Sequence, residues 1–156
     1  MIRRFMEKDL DEVMAIWLST TIKAHHFIDE DYWRRAEEVV RSEYIPQAVT
    51  YVYLKDEKVV GFVSILSEDT IGALFIDEKY QSRGIGSQLI DYVKTCYNLL
   101  AVSVYEKNRK ALEFYKSHDF VYDYKQNDLN TGQVEFVLIF RNKNSDTLFI
   151  SKELLN

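Results

Sequence analysis

Apolar side chains recur along this chain with two different periods, and the two periods alternate. Leu10, Val13, Met14 and Trp17 follow the spacing of one face of an α-helix. The segment 49–55 instead alternates and is rich in β-forming residues, as in a half-buried β-strand. The pattern therefore predicts strands that are interleaved with amphipathic helices.

The whole chain can be divided in this way into helices and strands. Asp9 and Glu12 have the spacing of a capping box, so the first helix is predicted to begin at Asp9. The predicted helices cover residues 10–18, 31–42, 86–97 and 109–117. The predicted strands cover residues 2–5, 49–55, 59–66, 71–76, 99–105, 120–125 and 134–141. Strands that alternate with helices and end in a hairpin indicate a mixed α/β sheet.

Composition narrows the class of protein. The chain has 156 residues, of which 47% are hydrophobic, and a net charge of −5, which suits one folded domain and excludes disorder. Cys96, the single cysteine, excludes an intramolecular disulfide and is expected to be buried. The sequence has no signal-peptide pattern, no apolar run near the ~20 residues of a membrane span, and no basic block. We therefore expect a cytoplasmic protein that binds neither membrane nor nucleic acid.

The domain is predicted to cover residues 1–141, followed by a C-terminal tail, 142–156, that is either docked or mobile. The stretch 147–155 is apolar enough to dock on the domain or on a second copy of the chain. A homodimer is therefore one expectation.

Two glycines, Gly84 and Gly86, open a predicted helix directly after a polar loop. The first N–H groups of a helix lack internal partners and lie at its positive end, and glycines let an anion approach them. Arg83 adds a positive charge. The spacing is not that of a Walker A loop, and Leu89 replaces the third glycine of a dinucleotide fingerprint. The segment predicts a phosphate site; a glycine turn that only starts a helix is the alternative.

Two motifs resemble those of the GCN5-related N-acetyltransferase (GNAT) family. The spacing Gln81-x-x-Gly84-x-Gly86 is similar to the loop that binds the acetyl-CoA pyrophosphate. Downstream, Asn108 precedes a helix with a Phe-Tyr pair at 114–115, which resembles the second GNAT signature. The order and separation of the motifs also match, and the first strand and helix are similar too. The resemblance covers roughly residues 1–141.

Two positions depart from the family pattern. Glu78 stands where the family often has proline, and Asp119 stands where it usually has glycine. Asp119 is expected to take a positive φ, a conformation that Asp tolerates better than most residues.

The resemblance implies a fold and a cofactor. The fold class is α/β (α+β), with a mixed, mostly antiparallel sheet of six to seven strands, four helices, and a splay between the fourth and fifth strands. The pantetheine arm of acetyl-CoA would fill that gap, and no metal is implied. The cofactor-binding residues implied by the resemblance are Leu74, Ile76, Gln81, Ser82, Arg83, Gly84, Ile85, Gly86, Ser87, Asn108 and Tyr115.

The implied reaction is direct attack of a primary amine on the thioester in a ternary complex. Tyr115 matches the family's general acid, which protonates the leaving thiolate. A tyrosine pKa near 10 keeps the phenol protonated at neutral pH, as this role requires. A tyrosine that only packs in the core is the alternative for this position.

The amine must first lose a proton, because alkyl amines are mostly protonated at pH 7. His25 is predicted to act here, since imidazole titrates near neutral pH and the family builds its acceptor site in this loop. The segment 17–28 resembles a GNAT subgroup with a Trp, a Ser and a His-x-Phe run. His26, Glu68 and Asp69 are alternatives, and a purely structural role for His25 stays open.

The acceptor is not specified by the sequence. A small-molecule amine, an antibiotic, a peptide N-terminus and a protein lysine all fit. Tyr32, Trp33, Tyr51 and Tyr53 either line the acceptor pocket or belong to the core. A non-catalytic module that binds acyl-CoA, or an acyltransferase that uses another acyl-CoA, are the alternative functions.

Overall fold

A seven-stranded sheet forms the centre of the computed structural model, which describes residues 1–143. The strands lie in the order β1-β2-β3-β4-β5-β7-β6. They are β1 Ile2–Arg4, β2 Val49–Lys55, β3 Lys58–Leu66, β4 Thr70–Ile76, β5 Leu99–Tyr105, β6 Val121–Asn127 and β7 Val134–Arg141. All neighbouring pairs are antiparallel except β4 and β5. The predicted mixed, mostly antiparallel α+β sheet is confirmed.

Helices cover both faces of the sheet. The four longer ones are α1 Leu10–Ala24, α2 Glu30–Val39, α3 Ile85–Cys96 and α4 Arg109–Ser117. Beyond α2 the chain continues through a π-helical turn, Val40–Tyr44, and a short helical turn, Ile45–Gln47. Pro46 lies in the first turn of that last segment, where its missing N–H breaks no helical hydrogen bond. The four predicted helices are confirmed; α1 ends six residues beyond its predicted end, and the ends of the other three differ from prediction by at most three residues.

The start of α1 differs from its predicted capping. The Asp9 carboxylate accepts from the Met6 N–H at 2.8 Å and from the Arg3 guanidinium at 2.7 and 2.9 Å. Glu12 turns away and accepts from the Val59 N–H at 3.0 Å. The capping box between Asp9 and Glu12 is therefore wrong, because a helical turn already begins before Asp9 and β3 takes the Glu12 carboxylate.

Strands β4 and β5 pair only at their beginnings. The parallel register joins Thr70 to Ala101 and Ile71 to Val102, and then the two strands part. Among the described strands none lies beside the rest of β4 on this side. The splay expected between the fourth and fifth strands is confirmed, and it opens a gap in the middle of the sheet.

Two apolar clusters hold the helices against the sheet. On one face, Leu89, Ile90 and Val93 of α3 are fully buried, and Leu112 and Tyr115 of α4 join the same cluster. On the other face, buried side chains of α1 pack with β2 and β3. Since each cluster fixes its helices to one face, the gap between β4 and β5 is bordered by helices on both sides.

Predictions made for single residues were confirmed at Asp119 and wrong at Cys96. Asp119 adopts a φ of 71°, as expected for a residue in a position that favours glycine. Cys96 is exposed, so its predicted burial is wrong.

The tail segment 144–156 and the homodimer that it suggested lie outside the described residues. Within residues 1–143, the helices are all too short or too polar to cross a bilayer.

Candidate functional site

A cavity of about 940 Å³ occupies the gap between β4 and β5. It extends from the N-terminus of α3 to the end of α1. Nearly all of the predicted site residues line it: Leu74, Ile76, Gln81, Ser82, Gly84, Ile85, Gly86, Ser87, Asn108, Tyr115 and His25. The fold therefore brings residues that are far apart in the sequence, from His25 to Tyr115, into one site.

The backbone N–H groups of residues 82–87 form the predicted phosphate loop. Within residues 1–143, none of these six N–H groups donates to an acceptor, and the first paired N–H is that of Gln88, to the Gly84 carbonyl at 3.0 Å. Ser82 and Gly84 have φ values of 64° and 81°, which turn the chain into α3. No described atom lies within 4 Å of a Cβ built on Gly84. Free donors at the positive end of a helix, facing open space, suit a diphosphate.

The side chains of Gln81 and Arg83 shape this loop. The Gln81 amide donates to the Ile76 carbonyl at 2.9 Å, which ties the loop to the end of β4. The Arg83 guanidinium lies 5.3 Å from the centre of the Tyr80 ring and is not part of the cavity wall. Of the predicted cofactor-binding residues, Arg83 is thus the one whose side chain lies away from the cavity.

The edge of β4 presents backbone groups to the gap. The Asp77 N–H donates to the Val60 carbonyl of β3 at 2.8 Å. Because backbone groups alternate in direction along an antiparallel strand, those of Leu74 and Ile76 point away from β3 and into the gap. Gln81 already occupies the Ile76 carbonyl. The Leu74 N–H and C=O and the Ile76 N–H remain able to bind an extended ligand as an added strand would.

Tyr115 forms part of the wall on the α4 side. Its side chain is 6% exposed and packs edge to face against Phe114 and Phe120. No hydrogen bond to its hydroxyl is formed within residues 1–143. Burial raises the pKa of the Tyr115 phenol above its usual value, since the phenolate would be poorly solvated. Tyr115 therefore keeps its proton at neutral pH and can donate it to a ligand.

His25, which follows α1, and Asn108, which precedes α4, are in contact although they lie 83 residues apart in the sequence. Asn108 Oδ1 accepts from the Ala111 N–H at 3.2 Å and so caps α4. Asn108 Nδ2 lies 3.4 Å from His25 Nε2, while His25 Nδ1 lies 3.1 Å from the Thr21 hydroxyl. Burial lowers the pKa of His25 to about 4. At pH 7 the imidazole is neutral, with one ring nitrogen donating and the other accepting.

Aromatic rings surround His25 at this end of the cavity. The rings of Trp33 and Tyr105 lie 5.2 and 5.1 Å from the imidazole, and both residues line the cavity. Tyr32 packs on Trp33 at 4.9 Å but is not part of the wall. Of the aromatic residues considered from the sequence, Trp33 is the one that the structure places in the acceptor half.

Four residues that the sequence offered as candidates for the acceptor pocket or for proton transfer lie outside the cavity. Tyr51 packs against Tyr92 of α3, with ring centres 5.0 Å apart, and Tyr53 hydrogen-bonds to the same helix. Both belong to the face of the sheet opposite α1, because side chains two apart in a strand share a face. Glu68 and Asp69 form the turn between β3 and β4, outside the cavity wall. Tyr51 and Tyr53 therefore belong to the core, which is the second of their two predicted alternatives, and Glu68 and Asp69 do not line the cavity.

A polar group that the sequence did not indicate lies beside the aromatic wall. Tyr105 and Glu135 are direct partners in the β5–β7 register, and both line the cavity. The Tyr105 hydroxyl donates to Asp128 at 2.5 Å, and Gln126 Nε2 donates to Glu135 at 2.8 Å. No spacing in the sequence marks these residues, since their proximity depends on the pairing of strands that are distant in the chain.

The buried imidazole makes stability depend on pH. The pKa of His25 is lower in the folded chain than its usual 6.5, so the unfolded chain takes up the proton first as the pH falls. We expect the wild type to lose stability between about pH 6.5 and 4, and His25→Gln to lose a few °C less in Tm over that range. Thermal melts monitored by circular dichroism measure this. His26→Gln, at an exposed neighbour, is the control, and equal losses in the two variants would contradict the assignment.

Comparisons of sequence point to one family. A family model described as an acetyltransferase (GNAT) domain matches residues 46–122. The peptidyl-lysine N-acetyltransferase YiaC of Escherichia coli is 37% identical over 120 residues, which are 77% of this chain and 82% of the relative. The peptidyl-lysine N-acetyltransferase YjaB of Salmonella typhimurium is 33% identical over 120 residues, 76% of this chain and 81% of the relative.

Comparison of structures gives the same result. The solution structure of apo YjaB from Escherichia coli matches with a TM-score of 0.78 and 29% identity, over 90% of this chain and 96% of the other. The match extends well beyond the segment covered by the family model.

Proposed function

Because the chain belongs to the GCN5-related N-acetyltransferase family and is an acetyl-CoA-dependent N-acetyltransferase, we propose that its acceptor is the side-chain amine of lysine in a protein or peptide. The observation that carries this proposal is the continuous cavity, which leads from the free N–H groups of residues 82–87 to the aromatic wall beside His25. Two substrates can thus meet inside the gap. Two relatives described as peptidyl-lysine N-acetyltransferases support lysine as the acceptor.

Acetyl-CoA is held by the backbone in this proposal. The N–H groups of residues 82–87 bind the diphosphate, and those of Leu74 and Ile76 bind the pantetheine arm as if it were a strand. Gln81 contributes indirectly, since it fixes the loop to the end of β4. Asn108 closes the opposite side. These contacts place the thioester between β4 and β5, next to Tyr115.

Transfer then proceeds by direct attack. The neutral amine nitrogen bonds to the thioester carbonyl carbon, and the bond from that carbon to sulfur breaks. Tyr115 gives its proton to the leaving thiolate and regains one from solvent. Counted from the ammonium form, the nitrogen gives up two protons. One is released to solvent when the neutral amine forms, and the other, lost after attack, balances the proton that the thiolate receives.

His25 is a catalytic candidate because of its position at the acceptor end. In the neutral imidazole Nε2 accepts from the Asn108 amide and Nδ1–H donates to Thr21, so His25 meets the acceptor through its ring, and its contact with Asn108 couples the acceptor side to α4. The one acceptor nitrogen of the neutral ring already faces the Asn108 amide, so the ring is not placed to take a proton from the acceptor. We therefore propose that His25 contacts the acceptor and that the proton is removed elsewhere. A cytoplasmic location, where acetyl-CoA is produced, fits this activity.

The acceptor is tested with purified chain, acetyl-CoA and a library of lysine-containing peptides. We expect acetylation of lysine Nε, seen by mass spectrometry, with release of coenzyme A thiol in equal amount. Matched peptides with arginine in place of lysine and a free N-terminus separate lysine from α-amine transfer. Binding of acetyl-CoA without transfer to any amine would favour the non-catalytic module, and faster transfer from a longer acyl-CoA would favour the other alternative.

A further inference from the structure

Glu135 is one of two acidic residues that line the cavity, and the mechanism above uses neither of them. It lies on β7 opposite Tyr105 of β5, and direct partners in an antiparallel pair project from the same face. The Tyr105 ring contacts His25, which follows α1. The half-buried Glu135 carboxylate therefore belongs to the acceptor end of the cavity, on the α1 face of the sheet.

The charge of Glu135 is not balanced by the protein. Two carboxylates line the cavity, and the other, Glu78, forms an ion pair with Lys23. For Glu135, no Lys, Arg or His nitrogen of the described chain lies within 4.0 Å. Its hydrogen bond comes from the neutral amide of Gln126, at 2.8 Å to Oε1. A half-buried carboxylate with no cation of the described chain beside it attracts a positively charged ligand.

The surroundings of Glu135 suit the side chain of lysine. His25, Trp33 and Tyr105 form an aromatic wall around the same end of the cavity. Such rings pack against the methylene groups of a lysine and attract its ammonium. The Trp33 indole N–H and the Thr20 hydroxyl, in the same wall, are buried without a partner in residues 1–143.

We propose that Glu135 is a catalytic residue that binds the acceptor ammonium and removes a proton from it. This inference rests on the proposed function, because it requires an amine acceptor in the cavity. The ammonium N–H bond breaks, its electron pair stays on nitrogen, and the proton passes to the carboxylate and then to solvent. The second proton leaves the nitrogen after attack, and Tyr115 protonates the thiolate.

The positions of Glu135 and Tyr115 agree with opposite roles. Tyr115 belongs to the apolar cluster that contains α3 and α4, whereas Glu135 shares the face of Tyr105 and His25. A base on one side of the gap and an acid on the other can act on the incoming amine and the leaving sulfur together. Burial raises the pKa of the Glu135 carboxyl, with Asp128 adding to the effect, which makes it a better proton acceptor than an exposed glutamate.

The test compares Glu135→Gln with Glu106→Gln, which removes the same charge from an exposed residue at the end of β5. Glutamine keeps an oxygen that can accept from Gln126, so the fold should persist. We expect Glu135→Gln to lower kcat/KM for a lysyl peptide about 10²-fold at pH 7, with unchanged affinity for acetyl-CoA. Glu106→Gln should behave as the wild type.

A second readout separates a base from a merely structural residue. The defect of Glu135→Gln should shrink as the pH approaches the lysine pKa near 10.4, and should be smaller for a peptide that carries the less basic S-aminoethyl cysteine. The titratable groups that interact with Glu135 are Asp128 on the β6–β7 loop, Tyr105 on β5 and Tyr32 on α2, and His25 contacts the Tyr105 ring. They are unchanged in both variants, so the difference between the two profiles reports on Glu135.

The outcomes distinguish this inference from the proposed function. A wild type that acetylates no lysyl peptide overturns the lysine acceptor and this assignment with it. An active wild type with equal kcat/KM in both variants overturns the role of Glu135 alone. A defect of Glu135→Gln that is the same at every pH and for both amines also overturns it, because that pattern indicates a structural effect.

Discussion

Replacing the buried tyrosine, Tyr115→Phe, should lower kcat about 10²- to 10³-fold and leave the affinity for acetyl-CoA nearly unchanged. The phenol is the proton source that we assign to the leaving thiolate, and phenylalanine has the same ring without the hydroxyl. Within residues 1–143 that hydroxyl makes no hydrogen bond, so its removal should not lower stability. The rate of coenzyme A release, followed with a thiol reagent, and calorimetric titration with acetyl-CoA measure the two quantities.

Tyr124→Phe provides the matched control, because Tyr124 is a 49% exposed residue of β6 away from the cavity. Its kcat should equal that of the wild type. An unchanged kcat in Tyr115→Phe would remove the general-acid assignment. A loss of acetyl-CoA affinity with no change in kcat would instead make Tyr115 a binding residue.

The second large effect is expected at the turn into α3. Gly84→Ala should weaken acetyl-CoA binding at least ~10-fold. Gly84 has a φ of 81°, so alanine there either strains the backbone by roughly 1–2 kcal/mol or reorients the N–H groups of residues 82–87. A Cβ at Gly84 meets no described atom within 4 Å, so the expected loss of affinity comes from the backbone. Calorimetric titration gives the dissociation constant directly.

Gly132 offers a control with the same backbone requirement. It has a φ of 72° and, like Gly84, no described atom within 4 Å of a built Cβ, but it lies in the β6–β7 loop. Gly132→Ala should lose a similar amount of stability in a thermal melt and keep its affinity for acetyl-CoA. Equal affinities in the two variants would show that the geometry of the loop at Gly84 is not needed for binding.

The sequence was sufficient to predict the helices, strands and loops that depend on local periodicity. The strand 71–76, the polar loop and the glycines before α3 form one continuous segment, so the phosphate loop could be located without knowing the tertiary structure. Tyr115 and Asn108 could be identified because they share one helix and its cap. The splay between β4 and β5 came from the family resemblance, since no residue pattern within either strand encodes it.

The remaining features depend on contacts between distant parts of the chain. Glu135 enters the cavity because β7 pairs with β5 in a register that joins it to Tyr105, and a shift of one residue would turn it to the other face. The capping box between Asp9 and Glu12 did not form because distant strands take both carboxylates: Arg3 of β1 binds that of Asp9, and the Val59 N–H of β3 binds that of Glu12. Tyr51 was indistinguishable from Trp33 in the sequence, although the two lie on opposite faces of the sheet.

The central claim is that the backbone N–H groups before α3 hold the diphosphate of acetyl-CoA. Titration of ¹⁵N-labelled protein with coenzyme A, followed by amide spectra, tests it residue by residue. We predict saturable one-to-one binding in which the amide signals of residues 82–87 shift most, while those of the exposed β2–β3 turn at Asp56 and Glu57 stay in place. The absence of shifts at millimolar coenzyme A, or shifts confined to another surface, would contradict it.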